Sequence, residues 1–269
     1  MNKKDYENKM KQLKECKADE VMDALNEIID DIKIPKKLYR YRPLNLYTID
    51  EIINRHVFLS NPNIDDLFDT NIVNNGGEVE GIWAAYYISK YYREQSSEMD
   101  KSFKFYNSYF EELNKEMREN IKITCFTESN TNVPMWQYYA DKHMGVCLEY
   151  SISKNDFGNS IYFLPVIYTN DYNKYLPDHL LERKEKLLFI LCSVLKMQEW
   201  EFEKEWRIVS LDNKEKNKPQ YVNAKITGIY CGVNMPEPIK SVLKGLIDEK
   251  IPIYEMKKEL TGLEILGLN

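Results

Sequence analysis

The chain has 269 residues, 43% hydrophobic and 30% charged, with a net charge of −6. This is the composition of a folded globular protein with a substantial core, and it excludes a disordered chain. The negative balance excludes tight non-specific binding to a nucleic-acid backbone through the field of the whole molecule, and the length allows one or two domains.

Residues 1–33 are predicted helical: Val21, Leu25, Ile28, Ile29 and Ile32 recur at helical spacing, with acids opposite and Pro35 as the stop. Residues 1–34 are read as an accessory helix laid on the core. The same amphipathic face, over 15–32, also suits a partner helix or self-association. KLYRYRP (37–43) reads as a strand with Tyr39 and Tyr41 on one face and Arg40 and Arg42 on the other. A helix with Leu46, Ile49, Ile52 and Ile53 on one side follows, with Thr48 as its cap. HVFLSNP (56–62) is a short strand ended by Asn61-Pro62. An acidic loop with Asp65, Asp66 and Asp69 comes next. Residues 78–119 read as a two-helix insertion whose aromatic and Met stripes serve packing.

From 121 onward strands predominate. IKITCFTE (121–128) is one, and Asn132-Val133-Pro134 opens a short helix through Met135, Trp136 and Tyr139. GVCLEYS (145–151) and FLPVIYT (163–169) are further strands, followed by an apolar helix over 178–198. WEFEKEWRIVS (200–210), read as a strand, places Phe202, Lys204, Trp206 and Ile208 on one face and Glu203, Glu205, Arg207 and Val209 on the other. After a polar loop (212–220), KITGIYCGV (225–233) is a strand, Pro236 starts a helix to about Lys250, and IPIYEMKK (251–258) is a closing strand. The elements form no regular βαβ series. The expected fold class is therefore α+β, with a mixed, mainly antiparallel sheet in a single domain over 35–269 that carries the insertion at about 78–119.

Five cysteines, Cys16, Cys125, Cys147, Cys192 and Cys231, include no CxxC pair, and four of them lie in apolar runs. They are expected to be reduced thiols, and with a polar first segment and no bilayer-length apolar run the expected location is the cytoplasm, with no membrane partner. Three histidines without clustered ligands argue against zinc, and no metal is expected. Glycine-rich phosphate loops, GxSxG and HExxH are absent.

The pieces LYRYRPL, FLSNPNIDDLFD, CFTE, MWQYYADKHMGVCLEYS, VIYTN and WEFEKEWRI span about residues 38–233. Together they resemble the bacterial domain-of-unknown-function family two-nine-seven-one. Where that family usually has Asn-Asp-Pro-Phe-acid, this chain has Asp65-Asp66-Leu67-Phe68-Asp69, and Leu67 does not fix the backbone as proline does.

The order of arginine strand, helix, serine strand, helical insertion and late glutamate strand is also similar to ADP-ribosyltransferases of the Arg-Ser-Glu type. That resemblance implies an ADP-ribosyltransferase-like core and NAD as substrate. It implies Arg40 or Arg42 and Ser60 as NAD-holding residues, and Glu205 with Glu203 as the catalytic pair. Trp136 or Tyr139 would stack on a ring of NAD, and His143 would donate a proton in the cleft. The acceptor would be a nucleic acid or a protein, and the role that of a toxin or anti-phage defence effector. The chemistry is coherent. Cleavage of the nicotinamide–ribose bond develops oxocarbenium character that a carboxylate stabilises, a second carboxylate serves the acceptor, and arginine forks suit a pyrophosphate.

Each residue has a plainer reading. Arginines pair with surface acids, Ser60 before Asn-Pro marks a turn, Trp136 and Tyr139 pack in a core, and His143 is structural. Glu203, Glu205 and Arg207 form a self-neutralising row. Two other functions stand beside the transferase. One is a metal-dependent hydrolase that gathers Asp65, Asp66 and Asp69 with Glu203 and Glu205 around magnesium. The other is a non-catalytic interaction module that docks through 15–32.

Overall fold

A computed structural model describes residues 1–17, 19–61, 119–153, 161–171, 174–175, 185–211, 220–247, 250–260 and 262–266. The acidic loop at 65–69 and all but the last position of the expected insertion at 78–119 lie outside the described residues.

The architecture is α+β, built on a mainly antiparallel eight-stranded sheet. Helices α1 (Lys3–Gln12) and α2 (Val21–Asp31) replace the single N-terminal helix expected, with a 3-10 turn at Leu13–Glu15 after α1. β1 (Leu38–Arg42) leads to α3 (Leu46–Asn54) and β2 (His56–Leu59). α3 is capped by Asn45, whose side chain accepts from the Thr48 N–H, so Thr48 occupies the third helical position and not the cap expected for it. β3 (Lys122–Thr127), α4 (Val133–Tyr139), β4 (Val146–Ser151), β5 (Ile161–Pro165) and β6 (Ile167–Tyr168) follow. Then come α5 (Glu185–Val194), β7 (Leu195–Lys196), a 3-10 helix (Gln198–Glu203) and β8 (Glu205–Ser210). β9 (Gln220–Asn223), β10 (Lys225–Cys231), α6 (Glu237–Leu246), β11 (Ile253–Glu259) and β12 (Gly262–Leu266) complete the described chain.

The sheet order is β12-β11-β10-β4-β1-β3-β8-β5. Its one parallel pair, β10 with β11, is joined through α6, since parallel neighbours need a crossover. Alternation along the strands separates two cores. Leu38, Leu148 and Tyr150 pack with Ile52 and with the N-terminal helices on one face, while Tyr41, Cys147 and Tyr230 pack with Met135 and Trp136 on the other. Tyr6, Met10, Leu13, Val21, Leu25, Ile28 and Ile32 are all buried in the first core. The apolar face of 15–32 is thus consumed within the chain and is not presented to a partner helix.

Two glycines mark close backbone approaches. A Cβ on Gly145 would lie 2.3 Å from the Arg42 carbonyl, and one on Gly232 would lie 2.1 Å from the His143 carbonyl. Just before Gly145, Asp141, Lys142 and His143 all have positive φ, a left-handed turn tied down by Gly145 N–H to the Ala140 carbonyl at 2.8 Å and Asn234 N–H to the His143 carbonyl at 3.0 Å. This turn abuts the end of β1 that carries Arg42.

Candidate functional site: a cleft between the arginine and glutamate strands

β1 pairs with β4 from Leu38 to Arg42, but with β3 only through Tyr39 and Thr127. Beyond that pair, β3 takes up Ser60 instead. The Ser60 N–H donates to the Ile123 carbonyl at 2.9 Å, and the Ile123 N–H returns a bond of 2.7 Å to Ser60. A cavity of about 270 Å³ opens between the two strands, lined by residues 39–42 of β1, 123–127 of β3, Ser60, Asn61, Met135, Tyr139, Lys196, Glu203 and Glu205.

The arginines occupy one side. Arg40 Nη1 donates to Glu51 Oε1 at 2.6 Å, and Tyr150 Oη donates to the same oxygen. The guanidinium also lies over Phe126, 5.5 Å from the ring centroid. Burial works against the charged form of Arg40, but Glu51, together with Tyr150 and Cys125, more than offsets it and raises the pKa. Arg40 is therefore committed to the fold. Arg42 is less so. Its Nε is 3.7 Å from Glu51 Oε2, beyond hydrogen-bond reach, and that buried nitrogen makes no hydrogen bond. Burial and then Arg40 lower its pKa. Thr124, 4% exposed and lining the same cavity, has a buried Oγ1 that also makes no hydrogen bond. Two orphan polar atoms beside one cavity ask for a ligand acceptor, because buried polar groups are rarely left unpaired.

The carboxylates occupy the other side. Residues 198–203 coil as a 3-10 helix, not the strand that the alternation suggested; Lys204 takes a left-handed conformation and β8 starts at Glu205. Thr127 Oγ1 donates to the Glu203 carbonyl and holds this corner. Glu203 and Glu205 still reach a common cation. Lys196 Nζ donates to Glu203 Oε2 at 2.5 Å and to Glu205 Oε2 at 3.2 Å.

Arg207, fully buried, grips Glu205 with Nε to Oε1 and Nη2 to Oε2, both 2.9 Å, and spends Nη1 on the Ser193 carbonyl. The Glu205 N–H donates to Tyr168 Oη at 2.8 Å. Burial pushes the Glu205 carboxyl up, but Arg207 and then Lys196 hold it down at about 2. Burial and the neighbouring Glu205 raise Glu203, against Lys196 and Tyr139. Tyr139 Oη donates to Glu203 Oε1 at 2.6 Å.

The cavity thus gathers Arg40, Arg42, Ser60, Tyr139, Glu203 and Glu205 from four separated stretches of sequence. It does not gather Trp136 or His143. Trp136 is fully buried, with Nε1 donating to the Asn130 carbonyl at 2.8 Å and its ring edge-on to Tyr41. His143 stacks parallel to Trp136 and lines a different hollow, with Val133, Val233 and Asn234. Burial lowers its pKa. Sequence reasoning missed Lys196, hidden at the end of an apolar helical run, and Thr124, inside a strand that reads as core. Among the described residues no group of three or more His, Cys, Asp or Glu is placed to hold a metal ion, and no helix is long and apolar enough to cross a membrane.

These features define an α+β protein with a charged cleft opened inside its main sheet. Residues 135–208 match the family model described as a protein of unknown function (DUF2971). The matched segment contains Tyr139, Lys196, Glu203, Glu205 and Arg207, the whole acidic side of the cavity, and it bears out the resemblance to that family. No curated protein and no solved structure matches the chain.

Proposed function

We propose that the protein is an ADP-ribosyltransferase-like enzyme that binds NAD at the β1–β3 cleft, cleaves its nicotinamide–ribose bond and modifies a macromolecular acceptor. The observation that carries this reading is the single cavity shared by Arg42, Ser60, Glu203 and Glu205. The arginine strand β1 and the glutamate strand β8 flank β3 in the main sheet, whereas the serine strand β2 pairs with β9 outside that sheet and Ser60 reaches β3 only through its bridge to Ile123. Thr124 on β3 adds a hydroxyl to that of Ser60.

In this reading Arg42 and Thr124 offer Nε–H and Oγ1–H to a phosphate oxygen, and the hydroxyl groups orient the ribose. Glu205 stays ionised and faces the positive charge that develops on the ribose as nicotinamide leaves. The cavity is small for a whole dinucleotide and takes the reacting end. Lys196, Arg207 and Tyr139 already occupy the carboxylate oxygens, which weighs against these acids serving as ligands for magnesium.

Purified protein incubated with NAD labelled in the nicotinamide ring tests the proposal. Release of nicotinamide, lost in Glu205→Gln while a folded chain is retained, is the expected result. Release that persists unchanged in that variant overturns the assignment of Glu205, and cleavage of nucleic acid that needs magnesium but no NAD selects the hydrolase reading instead.

A further inference from the structure

Glu203 is only 2% exposed, and both of its oxygens are engaged, Oε2 by Lys196 and Oε1 by Tyr139. Tyr139 is 39% exposed and lines the cavity, so its side chain links the cavity to a buried acid. Glu205 differs: Arg207 holds it bidentately and Lys196 adds a third bond, which fixes it as an anion. Lys196 is itself buried and lies over Trp200, 5.2 Å from the ring centroid.

We propose that Tyr139 is a catalytic relay that passes the acceptor's proton to Glu203, with Lys196 as the positioning residue that holds Glu203 for it. This rests on the transferase reading and adds the class of acceptor: a neutral O–H or N–H nucleophile that must shed a proton. As the bond from ribose C1′ to nicotinamide breaks, its electron pair goes to the pyridinium nitrogen. A lone pair of the acceptor atom forms the new bond to C1′. The acceptor proton moves to Tyr139 Oη while the tyrosine's own proton moves to Glu203 Oε1, so Tyr139 ends unchanged and Glu203 ends protonated.

Among the described residues, the charged and titratable groups around Glu203 are Lys196 from β7, Glu205 with Arg207 behind it from β8, Tyr139 from α4 and Tyr168 from β6. Burial and the Glu205 charge make Glu203 a better proton acceptor than an ordinary carboxylate, while Lys196 and Tyr139 work against that shift.

The test uses NAD with two acceptors, water and azide; azide attacks as an anion and needs no base. Tyr139→Phe and Glu203→Gln are each expected to lose about 100-fold or more of the water-dependent rate and to keep azide-dependent cleavage within a few-fold, a general-base loss of ordinary size. Lys196→Met is expected to move the acid limb of the pH–rate profile upward, and Lys196→Arg to restore it. Equal loss with both acceptors in Tyr139→Phe, or an acid limb that Lys196→Met leaves in place, overturns the relay while the transferase reading stands. No NAD cleavage by the unaltered protein with either acceptor overturns both.

Discussion

Glu203 and Glu205 are two residues apart, share the ammonium of Lys196, and are driven in opposite directions by their surroundings. The cause is the second cation. Arg207 lies against Glu205 and not against Glu203, so burial prevails at one carboxylate and ion pairing at the other. Two acids on adjacent turns of chain thereby acquire different chemistry, one held ionised and one able to take a proton.

The pair makes a prediction about stability against pH. Glu205 has a folded pKa of about 2 against an ordinary 4.5, so its contribution is fully present above 4.5 and is lost as pH falls from there toward 2. Its size is on the order of 3 kcal/mol. Glu203 has the opposite sign: its folded pKa is raised, so as pH falls toward 4.5 it takes up a proton and stability increases. Urea unfolding across this range is expected to show the protein gaining on Glu203→Gln above pH 4.5 and losing its advantage over Glu205→Gln below it. Parallel curves for all three proteins would contradict the assignment.

Arg40 and Arg42 are expected to separate stability from binding. Arg40→Met leaves Glu51 buried without its main counter-charge and is predicted to cost about 3–5 kcal/mol, the usual result of removing one partner of a buried pair. Arg42→Lys keeps the charge but replaces the planar fork, and is predicted to weaken NAD binding about tenfold with less than about 1 kcal/mol lost in stability. Thermal unfolding and calorimetric titration of both variants read the two effects. Equal destabilisation by both would remove the division of labour.

The features legible in the sequence were those set by local periodicity. The strand 37–43 shows its two faces because side chains alternate whatever the strand pairs with, so Tyr39 and Tyr41 face one core while Arg40 and Arg42 face the other side. The short helix after Asn132 was visible for the same reason: its cap and its proline are neighbours in sequence. Features fixed by distant partners were not legible. β9 follows a polar stretch of sequence and exists because it pairs with β2. Lys196 gains its role because β7 aligns with β6 beside β8, and no pattern within 178–198 specifies that. The alternation in 200–210 concealed a 3-10 turn, since a run this short fits either period. Trp136 shows the same limit in side-chain terms. A tryptophan on a short helix reads equally as a stacking platform or as core, and here the Asn130 carbonyl and Tyr41 hold it inside.

Thr124 yields a prediction with two signs. Its buried Oγ1 makes no hydrogen bond in the free protein, so Thr124→Val removes an unsatisfied polar atom while nearly preserving shape. Stability is expected to stay level or rise by up to about 1 kcal/mol. If the hydroxyl is reserved for ligand, NAD affinity falls about 3- to 10-fold in the same variant, the worth of one hydrogen bond. Chemical denaturation with and without NAD measures both. A stability loss above 1 kcal/mol would mean that the hydroxyl serves the fold.

The N-terminal helices supply the last prediction. Tyr6 Oη donates to the Pro165 carbonyl at 3.1 Å, and Tyr6, Met10, Leu13, Val21, Leu25, Ile28 and Ile32 all sit in the main core. A fully buried large apolar side chain contributes roughly 1.5–3 kcal/mol, so these residues together match the entire net stability of an ordinary domain. Deleting residues 1–33 is therefore expected to give an insoluble or unfolded chain and not a folded core that has merely lost a partner. Leu25→Ala is the milder version, predicted to cost about 2–5 kcal/mol. Circular dichroism with urea titration of the truncated and point-substituted proteins decides the matter. A truncated chain that unfolds cooperatively at the midpoint of the full chain would show that the helices are an appendage.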